Sequence, residues 1–244
     1  MTNFFESTPL QANPSYVDIS AYNTMALACQ AKQFIRLTQL SDIEPTFKQL
    51  AAYQQAFIVL SNGSNIILPE VLDAVVVSPS FQGKTVLFED TQTITLEVMA
   101  GEDWHTLVLD TVHQGWYGLE NLALIPSWVG GSPVQNIGAY GLELKDRFES
   151  LDAVDLITGR TVTLNREQCR FGYRDSIFKQ ALAGKSVITR VRLRLPRPWV
   201  PKLDYLDLQR RIEQTGITSP DARQIFDWVC EVRRAKLQIG RAHV

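Results

Sequence analysis

Cysteine is scarce in this chain: Cys29, Cys169 and Cys230 are far apart and odd in number. No pair has the short spacing of a zinc or dithiol motif, so those chemistries are excluded. The pattern fits reduced, mostly buried thiols in a reducing compartment. Histidine is equally rare, with three residues. His105 and His113 lie near Glu102 and Asp103, but their spacing puts them two helical turns apart. That is too far for one ion, so no metal site is expected. An excess of one charge is missing too, since 24 Lys and Arg face 26 Asp and Glu. Without a basic field, no nucleic-acid partner is expected. The apolar runs fall far short of a membrane span, so no membrane insertion is expected. Residues Met1 to Pro14 lack the basic start and apolar core of a secretory signal. There is no internal repeat, and neither common phosphate-loop signature, GxGxxG or GxxxxGK(S/T), occurs. These absences leave a cytoplasmic globular protein, with an enzyme the expected class.

The 244 residues are 45% hydrophobic, enough for a substantial core in one or two domains. Residues 1–15 read as a loose leader. Phe47, Leu50, Ala51 and Gln54 fall at helical spacing and predict a helix over Pro45–Gln54. A short apolar run from Phe34 leads into that helix, and Ala56–Leu60 and Ala74–Val77 are apolar runs that predict strands, giving a β-α-β-turn-β block. Thr85–Phe88 and Thr93–Met99 predict two more strands. A helix after Gly101 should bury Trp104, Leu107, Val108, Thr111 and Val112. Leu151–Ile157 and Thr161–Leu164 flank the turn Thr158-Gly159 as a hairpin. Val191, Leu193 and Leu195 alternate with Arg190, Arg192 and Arg194, a half-buried strand with one basic face. Pro196, Pro198 and Pro201 punctuate a boundary, and about 204–236 reads as charged helix.

Residues 125–141 are the most informative stretch. Pro126, Gly130, Gly131, Pro133, Gly138 and Gly141 forbid a regular helix or strand, while Ile125, Trp128, Val129, Val134, Ile137 and Tyr140 give it something to pack. An ordered, Gly-rich, apolar loop brings backbone close to a bulky anion, with Ser132, Gln135 and Asn136 as side-chain donors. A structural crossover loop is the alternative. Asn62-Gly63-Ser64-Asn65, directly after a strand, is either a simple β-turn or a second phosphate-facing turn. In Arg170-Phe171-Gly172-Tyr173-Arg174-Asp175-Ser176, Arg174 is either a surface ion pair or a guanidinium, oriented by Asp175, that grips a carboxylate. Arg233, Arg234 and Lys236 form a basic cluster, either a solvated face or an anion site.

Several of these segments together resemble the UDP-N-acetylenolpyruvoylglucosamine reductase family, over about Asn23 to Lys236. The carriers include Gly63-Ser64-Asn65, Gly118-Leu119-Glu120-Asn121-Leu122, Ile125-Pro126 and Gly130-Gly131-Ser132-Pro133. Gln135-Asn136-Ile137-Gly138-Ala139-Tyr140-Gly141 and Tyr173-Arg174-Asp175-Ser176 are the most specific. The resemblance implies an α+β, two-subdomain FAD-binding fold of the PCMH and vanillyl-alcohol-oxidase type, followed by the start of a truncated α+β substrate-binding domain. It implies non-covalent FAD, NADPH as hydride donor and a UDP-sugar nucleotide substrate, in a protein monomeric at full length. Flavin reduced by NADPH gives hydride to an enolpyruvyl double bond, making UDP-N-acetylmuramate for peptidoglycan. Arg174 then matches the arginine that stabilises charge growing on the substrate carboxylate, and Tyr205 and Lys236 match substrate contacts. Asn62, Gly63, Ser64, Asn65, Ile125, Pro126, Gly130, Gly131, Ser132, Pro133, Asn136, Gly138, Ala139, Tyr140 and Arg233 would bind cofactor. A non-catalytic FAD- or nucleotide-binding protein and another flavin oxidoreductase of the same fold are the alternatives.

The implied organisation is a leader over 1–15, FAD-binding subdomains over 16–80 and 81–197, and the start of a substrate domain over 198–244. Ser61, Ser127 and Leu206 stand where the family commonly has glycine, each adding a Cβ near backbone that could need unusual dihedrals. The family's later proton-donating serine and catalytic glutamate have no match here, so FAD binding with little or no turnover is expected. Residues 238–244 can be spelled by codons that match a common sequencing adapter. Read-through is therefore expected there, with a natural helical end as the alternative.

Overall fold

The computed structural model describes residues 16–237; the leader over 1–15 and the tail over 238–244 lie outside them. Two sheets follow one another along the chain. The first contains β1 (Val17–Asp18), β2 (Gln30–Leu37), β3 (Phe57–Val59) and β4 (Val71–Pro79), in the order β1-β2-β4-β3. β4 runs parallel to β2 and β3, whereas β1 is antiparallel to β2. Being central, β4 buries every residue from Ala74 to Pro79. That is why Ala74–Val77 reads as an unbroken apolar run rather than an alternating one. The crossover from β2 to β3 is α1 (Ile43–Ala52), which buries Ile43, Phe47 and Leu50. It stops before the predicted Gln54, which adopts a left-handed φ of 50° that ends the helix.

The second sheet is antiparallel throughout. It comprises β5 (Lys84–Glu89), β6 (Thr93–Met99), β9 (Phe148–Asp155), β10 (Thr161–Asn165) and β11 (Ser186–Pro196), in the order β10-β9-β11-β6-β5. Between β6 and β9 come α2 (Trp104–His113) and the ribbon β7 (Gly138–Ala139) with β8 (Leu142–Glu143). α3 (Arg166–Cys169) follows β10, and α4 (Leu206–Thr215) and α5 (Ala222–Leu237) close the described chain. All five residues expected on the apolar face of α2 are buried. Asp103 caps that helix, its carboxylate accepting the Thr106 N–H at 2.8 Å. The charged region after Asp204 is two helices rather than one, because Gly216 ends α4 in the left-handed conformation.

The basic face of β11 is neutralised across the sheet. Arg192 grips Asp152 with two guanidinium nitrogens at 2.9 and 2.8 Å, and Arg190 and Arg192 both reach Glu97 at 2.9 Å. On the opposite face, Val191, Leu193 and Leu195 join Ile94, Leu96 and Val98 of β6, α2 and α5 in one large core. A smaller core joins the two sheets: Leu37, Phe47, Val75 and Val77 pack with Phe81, Ala100, Val154 and Val187. The space left between the sheets is therefore framed by fixed walls. The three cysteines are all buried and unpaired, and burial pushes the Cys169 thiol up to about 12.

Candidate cofactor and substrate site

A cleft of about 290 Å³ opens between the sheets. Phe57, Ile58 and Val59 of β3 form one wall, Gly130 and Gly131 the floor, and Phe178, Leu182 and Ile188 the far side. Its shape depends on missing side chains. A Cβ on Gly130 would sit 2.6 Å from the Ala100 Cβ. One on Gly131 would sit 3.0 Å from Ser61 Oγ and 3.1 Å from Ser127 Oγ. One on Gly63, whose φ is 66°, would sit 2.0 Å from the Tyr22 carbonyl oxygen. At Gly63 and Gly130 only glycine fits, and at Gly131 a side chain would have to push Ser61 and Ser127 aside.

The two candidate loops do different work. Among the described residues, the backbone N–H groups of Asn62, Gly63, Ser64 and Asn65 have no protein acceptor, so that turn presents open donors beside the cleft. The 125–141 loop spends its donors on itself. The N–H groups of Gly130, Gly131, Ser132, Val134, Asn136 and Ile137 all bond to carbonyls of Ala100 or of the loop. Ser132 Oγ donates to the Val129 carbonyl at 2.6 Å, and the Asn136 amide donates to the Gly172 carbonyl at 2.9 Å. Asn136 Oδ1 accepts the Lys145 N–H at 3.0 Å. The expectation that Ser132 and Asn136 offer side-chain donors is thus corrected: their polar groups hold the loop together, leaving it a close-packed wall. Pro133 is buried in that loop; Ile125 is buried and Pro126 exposed at its start.

That wall positions the arginine. Ser176 Oγ donates to the Val134 carbonyl at 2.7 Å, so the 170–176 segment is tied to the loop twice, here and through Asn136. Arg174 is exposed, with φ of 54°, and its Nη2 donates to the Gly138 carbonyl at 2.6 Å. Asp175 does not orient it, contrary to expectation; that carboxylate pairs with Gln180 instead. Ala139 follows Gly138 in β7, and Tyr140, with φ of 47°, leads to the aromatic side of the site.

Arg233 on α5 donates from Nε to the Leu124 carbonyl at 3.1 Å. Burial holds its guanidinium below the usual arginine range, an effect partly opposed by Tyr140 and Cys230 and reinforced by the positive charge of Arg174. Burial likewise raises the Tyr140 phenol, against the pull of Arg233 and Lys236. Tyr140 and Tyr205 meet edge to face, with ring centroids 5.1 Å apart. Lys236 Nζ donates to Asp207 Oδ2 at 2.6 Å, which raises the ammonium pKa. Arg174, Arg233, Lys236, Tyr140 and Tyr205 thus gather in one electrostatic neighbourhood, although the sequence spreads them over 97 positions. Asp207 was not anticipated; its signal is an acid in the first turn of α4, two positions after Tyr205. Phe178, Leu182 and Ile188 also escaped notice, because apolar residues in a turn and a strand look like ordinary core.

His105 is a structural acceptor. Its Nδ1 takes the Leu124 N–H at 3.2 Å, its ring stacks on Phe226 at 5.5 Å, and burial lowers its pKa. The three glycine departures bring no left-handed backbone strain. Neither Ser61, Ser127 nor Leu206 adopts a positive φ, so the expected dihedral strain does not arise. No described helix is long and apolar enough to cross a membrane.

Open N–H groups, a cleft lined by glycine and a cluster of cationic groups on neighbouring segments fit a dinucleotide with a diphosphate. The family model described as the FAD binding domain matches residues 31–165, and the chain carries the α+β FAD-binding fold of the PCMH and vanillyl-alcohol-oxidase type. It is 47% identical over 224 residues to the UDP-N-acetylenolpyruvoylglucosamine reductase of Bordetella pertussis (strain Tohama I), covering 92% of this chain and 63% of that one. It is 42% identical over 235 residues to that of Burkholderia vietnamiensis (strain G4), covering 95% and 67%. The crystal structure of the Thermus caldophilus UDP-N-acetylenolpyruvylglucosamine reductase matches 84% of this chain and 70% of that one, with a TM-score of 0.58 and 25% identity. The chain belongs to the UDP-N-acetylenolpyruvoylglucosamine reductase family, and spans 63% of the length of the Bordetella relative.

Proposed function

We propose that this chain is the FAD-binding part of an NADPH-dependent reductase. Its reaction converts UDP-N-acetylglucosamine enolpyruvate to UDP-N-acetylmuramate in cytoplasmic peptidoglycan synthesis. In this reading 16–80 and 81–197 are the two cofactor-binding units and 198–244 begins a substrate-binding unit, in a protein monomeric at full length. The carrying observation is Arg174, held by the Gly138 carbonyl of the 125–141 loop, with Arg233 close enough to feel its charge. The turn at Asn62, Gly63, Ser64 and Asn65 receives the diphosphate. Ile125, Pro126, Gly130, Gly131, Ser132, Pro133, Asn136, Gly138, Ala139 and Tyr140 shape the wall, and Arg233 supports its outer end. Bound FAD supplies two-electron hydride transfer to the substrate double bond.

The protein's own contribution is electrostatic. As hydride arrives, negative charge grows on the substrate carboxylate, and the Arg174 fork meets it with donors positioned by the Gly138 carbonyl. Lys236 and Tyr205 contact the sugar nucleotide.

The test has two parts. The purified chain should carry non-covalent FAD. Joined to the remaining third of a relative, it should oxidise NADPH only when the enolpyruvyl sugar nucleotide is present. Arg174→Lys should lower that rate by roughly 10²-fold while retaining FAD, because a point charge cannot replace the fork. Full activity in Arg174→Lys would remove the assigned role.

A further inference from the structure

Two residues that line the cleft carry buried hydroxyls with nothing to bond to. Ser61 Oγ, just after β3, and Ser186 Oγ, at the start of β11, are each buried without a hydrogen-bond partner, and both residues line the cleft. One comes from each sheet. Nearby serines are satisfied within the protein: Ser127 Oγ donates to the Trp128 carbonyl at 2.9 Å, and Ser132 Oγ to Val129. A buried hydroxyl without a partner is a standing cost to the folded chain. Such a group is explained when a ligand completes it.

Their surroundings differ in a telling way. Ser61 opens the turn whose N–H groups at 62–65 lack protein acceptors, next to the Gly131 backbone. Ser186 lies on the wall with Phe178, Leu182 and Ile188. The first environment suits a diphosphate; the second suits a flat purine whose polar edge still needs a partner.

We propose that Ser61 and Ser186 each donate a hydrogen bond to the ADP half of the bound flavin dinucleotide, so that cofactor binding links the two sheets through one hydroxyl from each. The inference rests on the FAD-binding reading above. Ser61 stands where the family commonly has glycine, so its hydroxyl is a group that a glycine there could not offer.

The experiment titrates cofactor-free protein with FAD by flavin fluorescence, and with ADP by competition, in the wild type and in Ser61→Ala, Ser186→Ala and the double variant. Neither serine has a positive φ, so alanine is accommodated. Affinity for both FAD and ADP should fall about tenfold in Ser61→Ala, whose partner is charged, and about fivefold in Ser186→Ala. The thermal midpoint of the cofactor-free protein should stay level or rise, since an unpartnered hydroxyl has been removed. Ser78→Ala is the control: Ser78 Oγ is also buried and unpartnered, but it does not line the cleft, so FAD affinity should not change. Unchanged FAD and ADP affinity in the double variant overturns the proposal, as does an affinity loss matched by a lower cofactor-free midpoint. A wild type that binds no FAD instead defeats the cofactor reading on which the proposal rests.

Discussion

Asp152 shows how much a single side chain on the second sheet carries. It is nearly buried, and it accepts from Arg192 through two bonds and from the Thr163 hydroxyl at 2.8 Å. The hydrogen bonds from Arg192 lower its pKa most, ahead of the opposing effect of burial. A carboxyl held below its unfolded value stabilises the fold above that value, and the contribution is lost as pH falls through the folded pKa. Asp152→Asn should therefore cost about 2 kcal/mol at pH 7, by leaving Arg192 short of a charged partner. In urea unfolding, the gap between wild type and variant should shrink as pH drops below about 4, where the unfolded carboxyl begins to bind protons. A gap that stays constant down to pH 2 would sink this account. The alternation of arginines on β11 is readable as one exposed face, but their partners on β6 and β9 are not, because strand pairing carries no local mark. Arg174 is a parallel case. Its motif is visible, yet its orienting acceptor is the Gly138 carbonyl from another segment rather than the adjacent Asp175.

At the scale of elements, glycine position separates packing from backbone strain. Gly63 and Gly141 both have positive φ, but a Cβ on Gly63 would meet the Tyr22 carbonyl at 2.0 Å whereas one on Gly141 would meet nothing within 4 Å. Gly141→Ala should cost only about 1–2 kcal/mol of left-handed backbone strain. Gly63→Ala adds a backbone clash, so it should cost at least about 3 kcal/mol and abolish FAD retention, by displacing the 62–65 turn from the cleft. Denaturant midpoints and flavin content of the two variants check this ordering; equal losses would contradict it. The elements themselves were largely legible. α2 announced itself through Trp104, Leu107, Val108 and Val112 at helical spacing, and β6 through the alternation of Ile94, Leu96 and Val98. The internal bonding of the 125–141 loop was not, because the same glycines that permit an open nest also permit a tight turn that uses up its own N–H groups.

For the molecule as a whole, the cleft lies between two sheets that share only a modest apolar core. A ligand seated there binds the folded state alone. Saturating FAD at about 100 times its Kd should add about 2.7 kcal/mol. For a chain of this size that corresponds to a thermal midpoint roughly 5–10 °C higher. Calorimetry with and without FAD measures it, and a midpoint indifferent to FAD would place the cofactor elsewhere.

The sequence by itself determined most of the long strands, the helices α1 and α2 and the family, because each depends on local residue type and spacing. Tertiary structure alone decided which groups share the site. It brought Arg174, Tyr140, Tyr205, Arg233 and Lys236 together, and it set Ser61 and Ser186 on two walls of one cleft. The physical reason is that these neighbours come from different sheets and helices. Their meeting depends on how the two sheets and α5 pack, and no local pattern along the chain encodes that packing.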